Sequence, residues 1–597
     1  MTSIADESYF TPAPQRLLDM ASAKPDAVAY RVLNGTNWET TSWKAYADEV
    51  ETAARGLIHF GVKPGDTVCI LGSNQPEWTI MALAAMMAGG APAGIYFTCS
   101  SEEIAYILNH SEAPVILVQT EEQYSRVAEA RDQLPHLKHV VMMRGAELQD
   151  DIQTGWADFC ALGADDLQDE LETRLKNVER STTGTLIYTS GTTGPPKAVV
   201  LSHGALSWTA ATLKKMFFVE DEDRMLSYLP LAHIAEAMNS IHNHVHSGYE
   251  VWFARSLDEL GDHLKDCKPT VCFGVPRVWQ KIYETLQQRL GEATGFRATL
   301  AQWSIGVGQQ VAAEQVEGRE ASGLLALKHR IADKLVLSKI RAAIGLDECK
   351  LPISGAAPIS RQVIDFYHSL GILIYEVYGQ SEDCGPTTFN IPGAVKLGTV
   401  GRPIPGLEVK IAEDDEILVR APSLFDGYLK DEDATNETLV DGWMHTGDLG
   451  RLDNEGYLSI IGRKKDILIT AGGKNITPAN LEGDLMDIPL VEHAVVCGEG
   501  KKFLTALITL NAESLEAFGV QNGLDGDLRE SDAVRAEIQK GVDVMNDRYA
   551  RVEHIRKFAI LDRSLTMEDN ELTPTLKVKR NIVTQNHMAV VDELYGT

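Results

Sequence analysis

The stretch Tyr188-Thr-Ser-Gly-Thr-Thr-Gly-Pro-Pro-Lys197 gathers residue types that bind a polyphosphate. Its hydroxyl donors are Thr189, Ser190, Thr192 and Thr193. Gly191 and Gly194 permit tight or positive-φ backbone, which lets several N–H groups point at one ligand. Lys197 adds a positive charge, and converging donors with one cation can replace the hydration of a polyphosphate. The stretch therefore predicts a phosphate-binding loop, although a plain Ser/Gly/Thr surface turn is the alternative.

Strand-like runs flank this loop, Gly184-Thr-Leu-Ile-Tyr188 before it and Ala198-Val-Val-Leu-Ser-His203 after it. The loop is not a Walker A motif, which needs G-x-x-x-x-G-K-[ST] at the start of a helix. Here the lysine follows Pro195-Pro196, and Ala198 stands where Ser or Thr would bind magnesium.

Size and composition limit the class of protein. The chain has 597 residues, too many for one core, so two or more domains are expected. Its net charge of −30 argues against a general nucleic-acid binder. The eight cysteines form no C-x-x-C pair, which disfavours zinc sites and disulfides. The N-terminus lacks an apolar signal-peptide region, so we expect a cytoplasmic protein.

Residues 78–101 carry no charge and are long enough to span a bilayer. Gly89-Gly-Ala-Pro92 interrupts the run, however, and favours a buried helix followed by a strand. Strands and helices alternate through the first 180 residues, with Ser101 expected to cap one helix. The pattern predicts an α/β fold.

Four further stretches carry residues suited to a nucleotide or an acid. Leu351-Pro-Ile-Ser-Gly-Ala-Ala-Pro358 ends in small residues that let a flat ring approach the backbone. Ile372–Tyr378 leads into Gly379-Gln-Ser-Glu382. Asp448 closes Asp441-Gly-Trp-Met-His-Thr-Gly-Asp and can accept ribose hydroxyls. His233 follows Leu229-Pro-Leu-Ala, although a packed histidine is the plainer interpretation.

Two basic stretches lie towards the C-terminus. Gly462-Arg-Lys-Lys-Asp466 follows a strand-like run, and Leu572-Thr-Pro-Thr-Leu-Lys577 stands near the end. Taken alone, each is a solvated basic turn. His242-Asn-His-Val-His246 could ligate a metal if it were a strand, because the histidines would share one face, but not if it were a helix.

The order and spacing of these motifs from 184 to 580 resemble the adenylate-forming enzymes, in particular the long-chain fatty acyl-CoA synthetase branch with its bubblegum-type members. The resemblance implies that Lys577, Glu382 and His233 are catalytic, with Glu382 also holding Mg²⁺. It implies ATP phosphate contacts for Thr189, Ser190, Gly191, Thr192, Thr193, Gly194 and Lys197. It implies adenine and ribose contacts for Gly355, Ala356, Ala357, Tyr378, Gly379, Asp448 and Arg463. Lys465 would be the hinge, and Gly472 and Gly473 would face the CoA channel.

The same resemblance implies a large multi-layer adenylation domain over 1–462 and a small mobile α+β domain over 463–597. It implies a helical region over 282–345, whose run Leu324–Ala343 is strongly amphipathic, although an ordinary surface insertion would look the same. The expected substrates are ATP, coenzyme A and a medium- to long-chain fatty acid, with Mg²⁺ as cofactor.

Alternative functions share the nucleotide motifs: a ligase for a short-chain or aryl acid, a fatty acyl-AMP ligase, a phosphotransferase, or a non-catalytic nucleotide-binding protein. No anchor strong enough for a membrane stands out in the sequence. Weak peripheral contact at the inner membrane face and a homodimer stay open.

Overall fold

The computed structural model of the protein describes residues 10–189, 195–217, 219–573 and 577–596. Ser190, Gly191, Thr192, Thr193 and Gly194 of the predicted phosphate loop lie outside these described residues. Thr189 and Lys197 lie inside them.

Helices and strands alternate through the first part of the described chain, as the sequence predicts. They are α1 (Ala13–Ala23), β1 (Val28–Asn34), β2 (Asn37–Ser42), α2 (Trp43–His59), β3 (Thr67–Leu71), α3 (Pro76–Met87), β4 (Ala91–Ile95), α4 (Ser101–Ser111), β5 (Val115–Val118), α5 (Glu121–Glu129), β6 (His139–Met142), β7 (Gln153–Gly155), α6 (Trp156–Ala161), α7 (Gln168–Lys176), β8 (Thr183–Thr189), β9 (Lys197–Ser202), α8 (His203–Phe217), β10 (Arg224–Ser227), α9 (Ile234–Ala237), α10 (His244–Ser247), β11 (Glu250–Phe253), α11 (Leu260–Cys267) and β12 (Val271–Gly274).

Four helices follow before the next strand: α12 (Pro276–Glu292), α13 (Gly295–Val316), α14 (Gly323–Ala332) and α15 (Ser338–Ala343). A π-helical segment, Asp333–Leu337, joins α14 to α15. The elements after them are β13 (Leu351–Ser354), α16 (Arg361–Ser369), β14 (Tyr375–Tyr378), β15 (Thr388–Phe389), β16 (Arg402–Pro403), β17 (Glu408–Ile411), β18 (Glu416–Arg420), β19 (Gly427–Tyr428), α17 (Glu432–Thr438), β20 (Leu439–Val440), β21 (Trp443–Leu452) and β22 (Leu458–Arg463).

After β22 the elements are shorter. They are β23 (Leu468–Ile469), β24 (Asn475–Ile476), α18 (Pro478–Met486), β25 (Val491–Cys497), β26 (Leu504–Leu510), α19 (Ala512–Asn522), α20 (Asp532–Asn546), β27 (Ile555–Ile560), α21 (Arg580–Asn586) and α22 (Met588–Tyr595).

Two large sheets form the N-terminal part, which confirms the mixed α/β class. One has nine strands in the order β16-β15-β14-β13-β12-β10-β11-β1-β2, and the other has eight in the order β19-β9-β8-β4-β3-β5-β6-β7. Their central strands are parallel, and β3, β4 and β5 are buried along their whole length. Buried parallel strands need continuous apolar sequence, which these runs supply.

The uncharged run from residue 78 forms most of α3 and then β4, as expected. Every residue of α3 is buried, because a helix that is apolar all round must be covered on all sides. Among the described residues, no helix is both long enough and apolar enough to cross a membrane.

One helix start differs from the prediction. Ser100 rather than Ser101 caps α4, in a capping box with Glu103. The Ser101 hydroxyl is used elsewhere, as a donor to Glu129.

A third, antiparallel sheet links the two parts of the chain. It runs β17-β18-β21-β20, and β22 also pairs with β21, at residues 448–452. Beyond it, β25, β26 and β27 form a separate sheet, covered by two apolar clusters whose members all follow residue 467. Arg277 on α12 contacts Glu492 on β25 at 3.4 Å, so the two parts touch in this structure.

Candidate active site

A buried carboxylate marks the centre of the site. Asp448 on β21 is only 5% exposed. Its Oδ2 accepts hydrogen bonds from Tyr378 Oη at 2.8 Å and Gln380 Nε2 at 2.7 Å. Its Oδ1 accepts from Arg463 Nε at 3.1 Å, because β21 and β22 pair Asp448 with Arg463 directly. We call these four residues the Asp448 cluster. A carboxylate has about four acceptor positions, and these three hydrogen bonds leave about one of them for a hydroxyl donor.

Small residues border this cluster where β13 and β14 end. A Cβ on Gly355 would lie 2.5 Å from Val377 Cγ1, and one on Gly379 would lie 1.5 Å from the Gly385 carbonyl oxygen. Ala356 adopts a φ of +70°, a left-handed conformation that non-glycine residues seldom take. Ala357 follows it in the same turn. Parallel strands bring their carboxyl ends to one edge, so this flat, small-residue surface lies beside Tyr378.

Glu382 and Lys197 are linked through one tyrosine. Glu382 lies in the short 3₁₀ turn Ser381–Asp383, and its Oε1 accepts a hydrogen bond of 2.8 Å from Tyr428 Oη. Lys197 Nζ lies 4.9 Å from the Tyr428 ring centroid and 3.4 Å from Asp431 Oδ2. Thr189 at the end of β8 pairs with Lys197 at the start of β9, so both frame the loop between them.

The Glu382 carboxylate is suited to bind a hard divalent cation. Tyr428 donates a hydrogen bond to one of its oxygens, and among the described residues the structure shows no hydrogen-bond donor to the other oxygen. Carboxylate oxygen is the ligand that Mg²⁺ prefers, usually one or two from protein with the rest from water and phosphate. No group of three or more His, Cys, Asp or Glu that could bind a metal is found in the described part of the chain. Glu382 therefore fits a magnesium shared with phosphates rather than a metal held by protein alone.

His233 is held as a neutral ring. It caps α9, and its Nδ1 accepts a hydrogen bond of 3.2 Å from the Ala235 N–H, so the proton sits on Nε2. Desolvation, and then the positive charge of Lys577, lower the pKa of His233 to about 3. The ring can thus donate from Nε2 at neutral pH but carries no charge.

Lys577 reaches the cleft from the C-terminal part of the chain. Its N–H donates to Thr573 Oγ1 at 3.0 Å, and its carbonyl accepts from the Thr573 N–H at 2.8 Å. The residue is exposed. The protein around it nevertheless desolvates its ammonium, which, with repulsion from Arg463, lowers the pKa of Lys577 to about 8. The charge of Lys577 lowers the pKa of His233. The charges of Arg463 and Asp448 in turn shift the pKa of Lys577, so these four residues lie near one another.

A second buried carboxylate supports the segment that carries Lys577. Glu571 has no exposed side-chain surface and accepts 2.6 and 3.0 Å hydrogen bonds from Arg563. Asn586 Nδ2 and His587 Nε2 each lie 3.1 Å from its Oε1. Desolvation acts to raise the pKa of Glu571, but these hydrogen bonds outweigh it and lower the pKa to about 2. The Glu571 carbonyl accepts a hydrogen bond from the Lys579 N–H, so the backbone before Lys577 is tied to the backbone after it.

The predicted hinge and CoA residues lie apart from this cluster. Lys465 is in the 3₁₀ turn Lys464–Asp466, and its neighbour Lys464 binds Asp414 at 2.7 Å and Glu416 at 3.1 Å. Gly472 and Gly473 are exposed in the turn between β23 and β24. Gly473 has a φ of +71° and donates to the Thr470 carbonyl within the same turn.

The three histidines at 242, 244 and 246 are helical, not on a strand. They lie in a π-helical segment, Met238–Asn243, and in α10, so they do not share the one face that a metal would need. His244 Nε2 contacts the Ala29 carbonyl at 2.9 Å and packs in the core.

Sequence reasoning missed Gln380, Tyr428, Asp431 and Glu571. Gln380 lies inside the Gly379-Gln-Ser-Glu382 stretch, so the sequence could have indicated it. Tyr428 and Asp431 give no local signal, because their partners lie 46 and 234 residues away in the chain. Glu571 immediately precedes the Leu-Thr-Pro-Thr-Leu-Lys stretch, but only the fold shows that it is buried.

Comparisons with known proteins find similarity along most of the chain. The family described as AMP-binding enzyme matches residues 18–429, and the AMP-binding enzyme C-terminal domain matches residues 465–597. Long-chain-fatty-acid–CoA ligase ACSBG2 of Xenopus laevis is 35% identical, over 96% of this chain and 82% of its own. Long-chain-fatty-acid–CoA ligase FadD15 of Mycobacterium bovis is 37% identical, over 96% of this chain and 95% of its own.

Solved structures share the fold. The adenylation domain of a carboxylate reductase from Mycobacterium chelonae has a TM-score of 0.74 at 18% identity, covering 98% of this chain and 91% of that one. An anthranilate CoA ligase in complex with anthranoyl-AMP has a TM-score of 0.71 at 18% identity, with 98% of each chain covered. At these identities the likeness concerns the fold alone.

Proposed function

This chain belongs to the AMP-binding enzyme family, within its branch of long-chain fatty acid–CoA ligases, and we propose that the cleft around Asp448 and Lys577 is where it works. Its reaction is the ATP-dependent activation of a fatty acid, through acyl-AMP to acyl-CoA. One observation carries the assignment of the cleft. Lys577, from the C-terminal part, lies close enough to His233 and Asp448 of the N-terminal part, and to Arg463 at the end of β22, to interact with them electrostatically.

In the first step the fatty acid carboxylate attacks the α-phosphorus of ATP. Both reactants are anions, so catalysis consists mainly of positioning and charge neutralisation. Lys577 bridges the carboxylate and the α-phosphate. Neutral His233 donates from Nε2 to the carboxylate without adding a charge that would repel Lys577.

The leaving pyrophosphate is held on the other side of the cleft. Lys197, Thr189 and the loop between them contact the β- and γ-phosphates. Glu382 would hold Mg²⁺, which when bound offsets charge on the departing pyrophosphate. Because Asp431 lies 3.4 Å from Lys197 Nζ, the polyphosphate competes with Asp431 for the same ammonium.

The adenosine part of ATP lies against residues that are already fixed. The turn Gly355–Ala357 and Gly379 leave room for the adenine ring, on which Tyr378 stacks. Asp448 accepts a ribose hydroxyl at its remaining acceptor position, and Arg463, bonded to the same carboxylate, reaches ribose or phosphate. Asp448 and Arg463 hold each other in place before ATP binds, which favours tight positioning.

In the second step the CoA thiol attacks the acyl carbonyl and AMP leaves. Lys577 is not needed for this step, so the C-terminal domain, residues 463–597, turns about Lys465 and brings Gly472 and Gly473 to the CoA channel. The short 3₁₀ turn at Lys465 supports this proposal, since it connects β22 of the third sheet to the separate C-terminal cores. Motions of this kind gate many enzymes.

The substrate class is tested with a panel of acids from acetate to oleate. Pyrophosphate release is measured with ATP and Mg²⁺, with and without CoA. We expect turnover to rise with chain length and to need CoA. Highest turnover with acetate or benzoate would assign a short-chain or aryl acid ligase instead. Full turnover to a bound adenylate without any CoA effect would assign a fatty acyl-AMP ligase.

A further inference from the structure

Exposed apolar side chains are concentrated in the helical insertion between β12 and β13. Of the sixteen large apolar side chains that are exposed in the described part of the chain, seven lie between positions 296 and 335. Four of them follow one another at spacings of three or four residues along α14 and the π-helical segment after it: Leu324 (66% exposed), Leu327 (55%), Ile331 (45%) and Leu335 (43%). Such spacing places them on one face of the helix. Surface apolar residues of soluble proteins are usually scattered singly.

These four residues are not needed to hold the helix in place. The opposite side of the same helix packs on the protein through Ala332 and Leu337, both fully buried, with Leu325 and Ile340 beside them. The helix therefore has one apolar side that anchors it and a second apolar side that faces solvent.

Positive charge surrounds the exposed side. Residues 323–343 contain five basic residues and one acidic residue, in a chain whose net charge is −30. Arg341 pairs with that acidic residue, Asp333, at 2.8 Å. The other four are Lys328, Arg330, Lys334 and Lys339, all exposed. In the described part of the chain the structure shows no salt bridge to any of them. We call these four basic and four apolar residues the insertion face.

We propose that the insertion face docks on a phospholipid bilayer that contains anionic lipids. An apolar stripe flanked by Lys and Arg is the pattern of a helix that lies in the membrane interface. The apolar side chains enter the headgroup boundary, and the four cations meet the negative surface potential. The long stems of lysine and arginine allow their charges to stay at the surface while the leucines insert.

The charges decide between a bilayer and a second copy of this chain. Two copies pairing through this face would bring four cations against four cations, without the complementary charges that pair helices. An anionic bilayer offers the opposite charge. The rest of the acidic protein would be repelled by that bilayer, which orients the molecule with this face towards it.

The insertion that carries this face begins beside residues of the proposed acid site. Its first helix, α12, carries Trp279, whose Nε1 donates a 3.1 Å hydrogen bond to the Ile353 carbonyl on β13. A Cβ on Gly274, in β12, would lie 2.7 Å from Trp279 Nε1 and 3.2 Å from Tyr228 Oη, five residues before His233. A fatty acid dissolved in the bilayer would meet the enzyme at the surface on which it docks. That advantage rests on the proposed function, whereas the docking itself does not.

The test uses the full chain and vesicle flotation at low salt. Vesicles of phosphatidylcholine with about 30% phosphatidylglycerol are compared with pure phosphatidylcholine vesicles. One variant is Leu327→Gln with Ile331→Gln, and another is Lys328→Glu with Lys334→Glu. The matched control is Val520→Gln with Val544→Gln, two exposed valines (80% and 66%) on α19 and α20. All changes are at exposed positions, so pyrophosphate release with octanoate, a soluble acid, reports intact folding.

We expect wild type and control to bind the anionic vesicles at least about tenfold more than the pure phosphatidylcholine vesicles, and added salt to weaken this binding. Each insertion-face variant should bind the anionic vesicles about tenfold less than wild type. This is the size of effect expected when half of a combined apolar and electrostatic anchor is removed. Equal binding by wild type and both variants would overturn the proposal. So would a wild-type dimer in sedimentation that the Leu327→Gln, Ile331→Gln variant abolishes, since that would assign the face to a second copy. Binding without pyrophosphate release would instead contradict only the proposed function.

Discussion

Two buried carboxylates organise the two sides of the cleft in different ways. Asp448 faces the cleft and is held by Tyr378, Gln380 and Arg463 from the strands around it. Glu571 lies under the surface and holds the backbone segment that carries Lys577. We propose that the Asp448 carboxylate itself contacts the substrate. The Glu571 carboxylate instead supports the segment of the exposed Lys577.

This difference separates the parts of the reaction. In the proposed mechanism AMP, or an adenylate, is bound in both half-reactions, so we expect its contacts to stay with the N-terminal sheets. The same proposal needs the charge of Lys577 in only one half-reaction, so that charge can be carried on a unit that moves away. We therefore expect the Asp448 side to serve both steps and the Glu571–Lys577 side to serve adenylation alone.

Removing the lysine gives the largest expected effect. We expect Lys577→Ala to slow acyl-AMP formation by about 100- to 1,000-fold, the usual loss when a group that stabilises developing charge is removed. Thioester formation from supplied acyl-AMP should be nearly unchanged. Lys579→Ala is the matched control, because Lys579 is in the same segment but its ammonium binds Asn570. If Lys577→Ala slowed both half-reactions equally, Lys577 would not serve adenylation alone, and the proposed difference between the two regions would be wrong.

Restricting the hinge should have the reverse effect. We expect Lys465→Pro to slow thioester formation by up to about 100-fold, the scale of a misplaced catalytic group, and to leave adenylation within a few-fold. Lys465→Ala keeps the backbone free and should behave almost like wild type. The two half-reactions are measured separately, by pyrophosphate release and by CoA consumption with supplied acyl-AMP. Unchanged kinetics in Lys465→Pro would move the hinge to another position.

The pH dependence of the two steps should differ as well. The pKa of Lys577 is lowered to about 8, so the ammonium is lost as pH rises through that value. We expect adenylation to fall above pH 8 by about tenfold for each further unit, as for any step that needs one protonated group. Thioester formation from supplied acyl-AMP should not fall in this range, because it does not use Lys577. A fall of the same size in both steps would contradict the assignment of Lys577 to adenylation alone.

The sequence predicted the Asp448 side better than the Glu571 side. Gly355–Ala357 and Tyr378 lie at the ends of β13 and β14, and Asp448 lies within β21. All are in contiguous stretches whose residue types suit a nucleotide, and the family resemblance supplied their predicted roles. Tyr428 and Glu571 act through partners that the fold alone brings close, and nothing in their neighbouring residues shows that they are buried or bonded.

Element types were likewise more predictable than their details. The amphipathic run 324–343 is helical as predicted, but it contains a π-helical segment that no periodicity indicates. Ser338 Oγ bonds to the Asp333 carbonyl, five residues back, and so matches the wider turn. The sequence also does not show that one apolar side of this helix, which we propose as a membrane anchor, is exposed, because its exposure becomes visible only when the packed side is known.

The smallest effect should come from the carboxylate that supports Lys577. Glu571→Gln keeps the shape but removes the buried charge that binds Arg563, leaving Asp569 at 3.2 Å as the acidic partner of that guanidinium. We expect acyl-AMP formation to slow by about fivefold, roughly the net contribution of one ordinary hydrogen bond, because Lys577 is held less well. Exposed Glu568 in the same segment provides the control, and Glu568→Gln should change neither step.

Acid stability distinguishes this support from a general structural role. The pKa of Glu571 is lowered to about 2, so its carboxylate stabilises the folded protein above its ordinary pKa and loses that contribution as pH falls towards 2. Unfolding of Glu571→Gln should therefore lack this acid-dependent component, while its stability at neutral pH is lower than that of wild type. If thioester formation slowed as much as adenylation in Glu571→Gln, the carboxylate would be holding the whole C-terminal domain rather than the segment of Lys577. Asp448 and Glu571 would then differ in where they lie but not in which half-reaction they support.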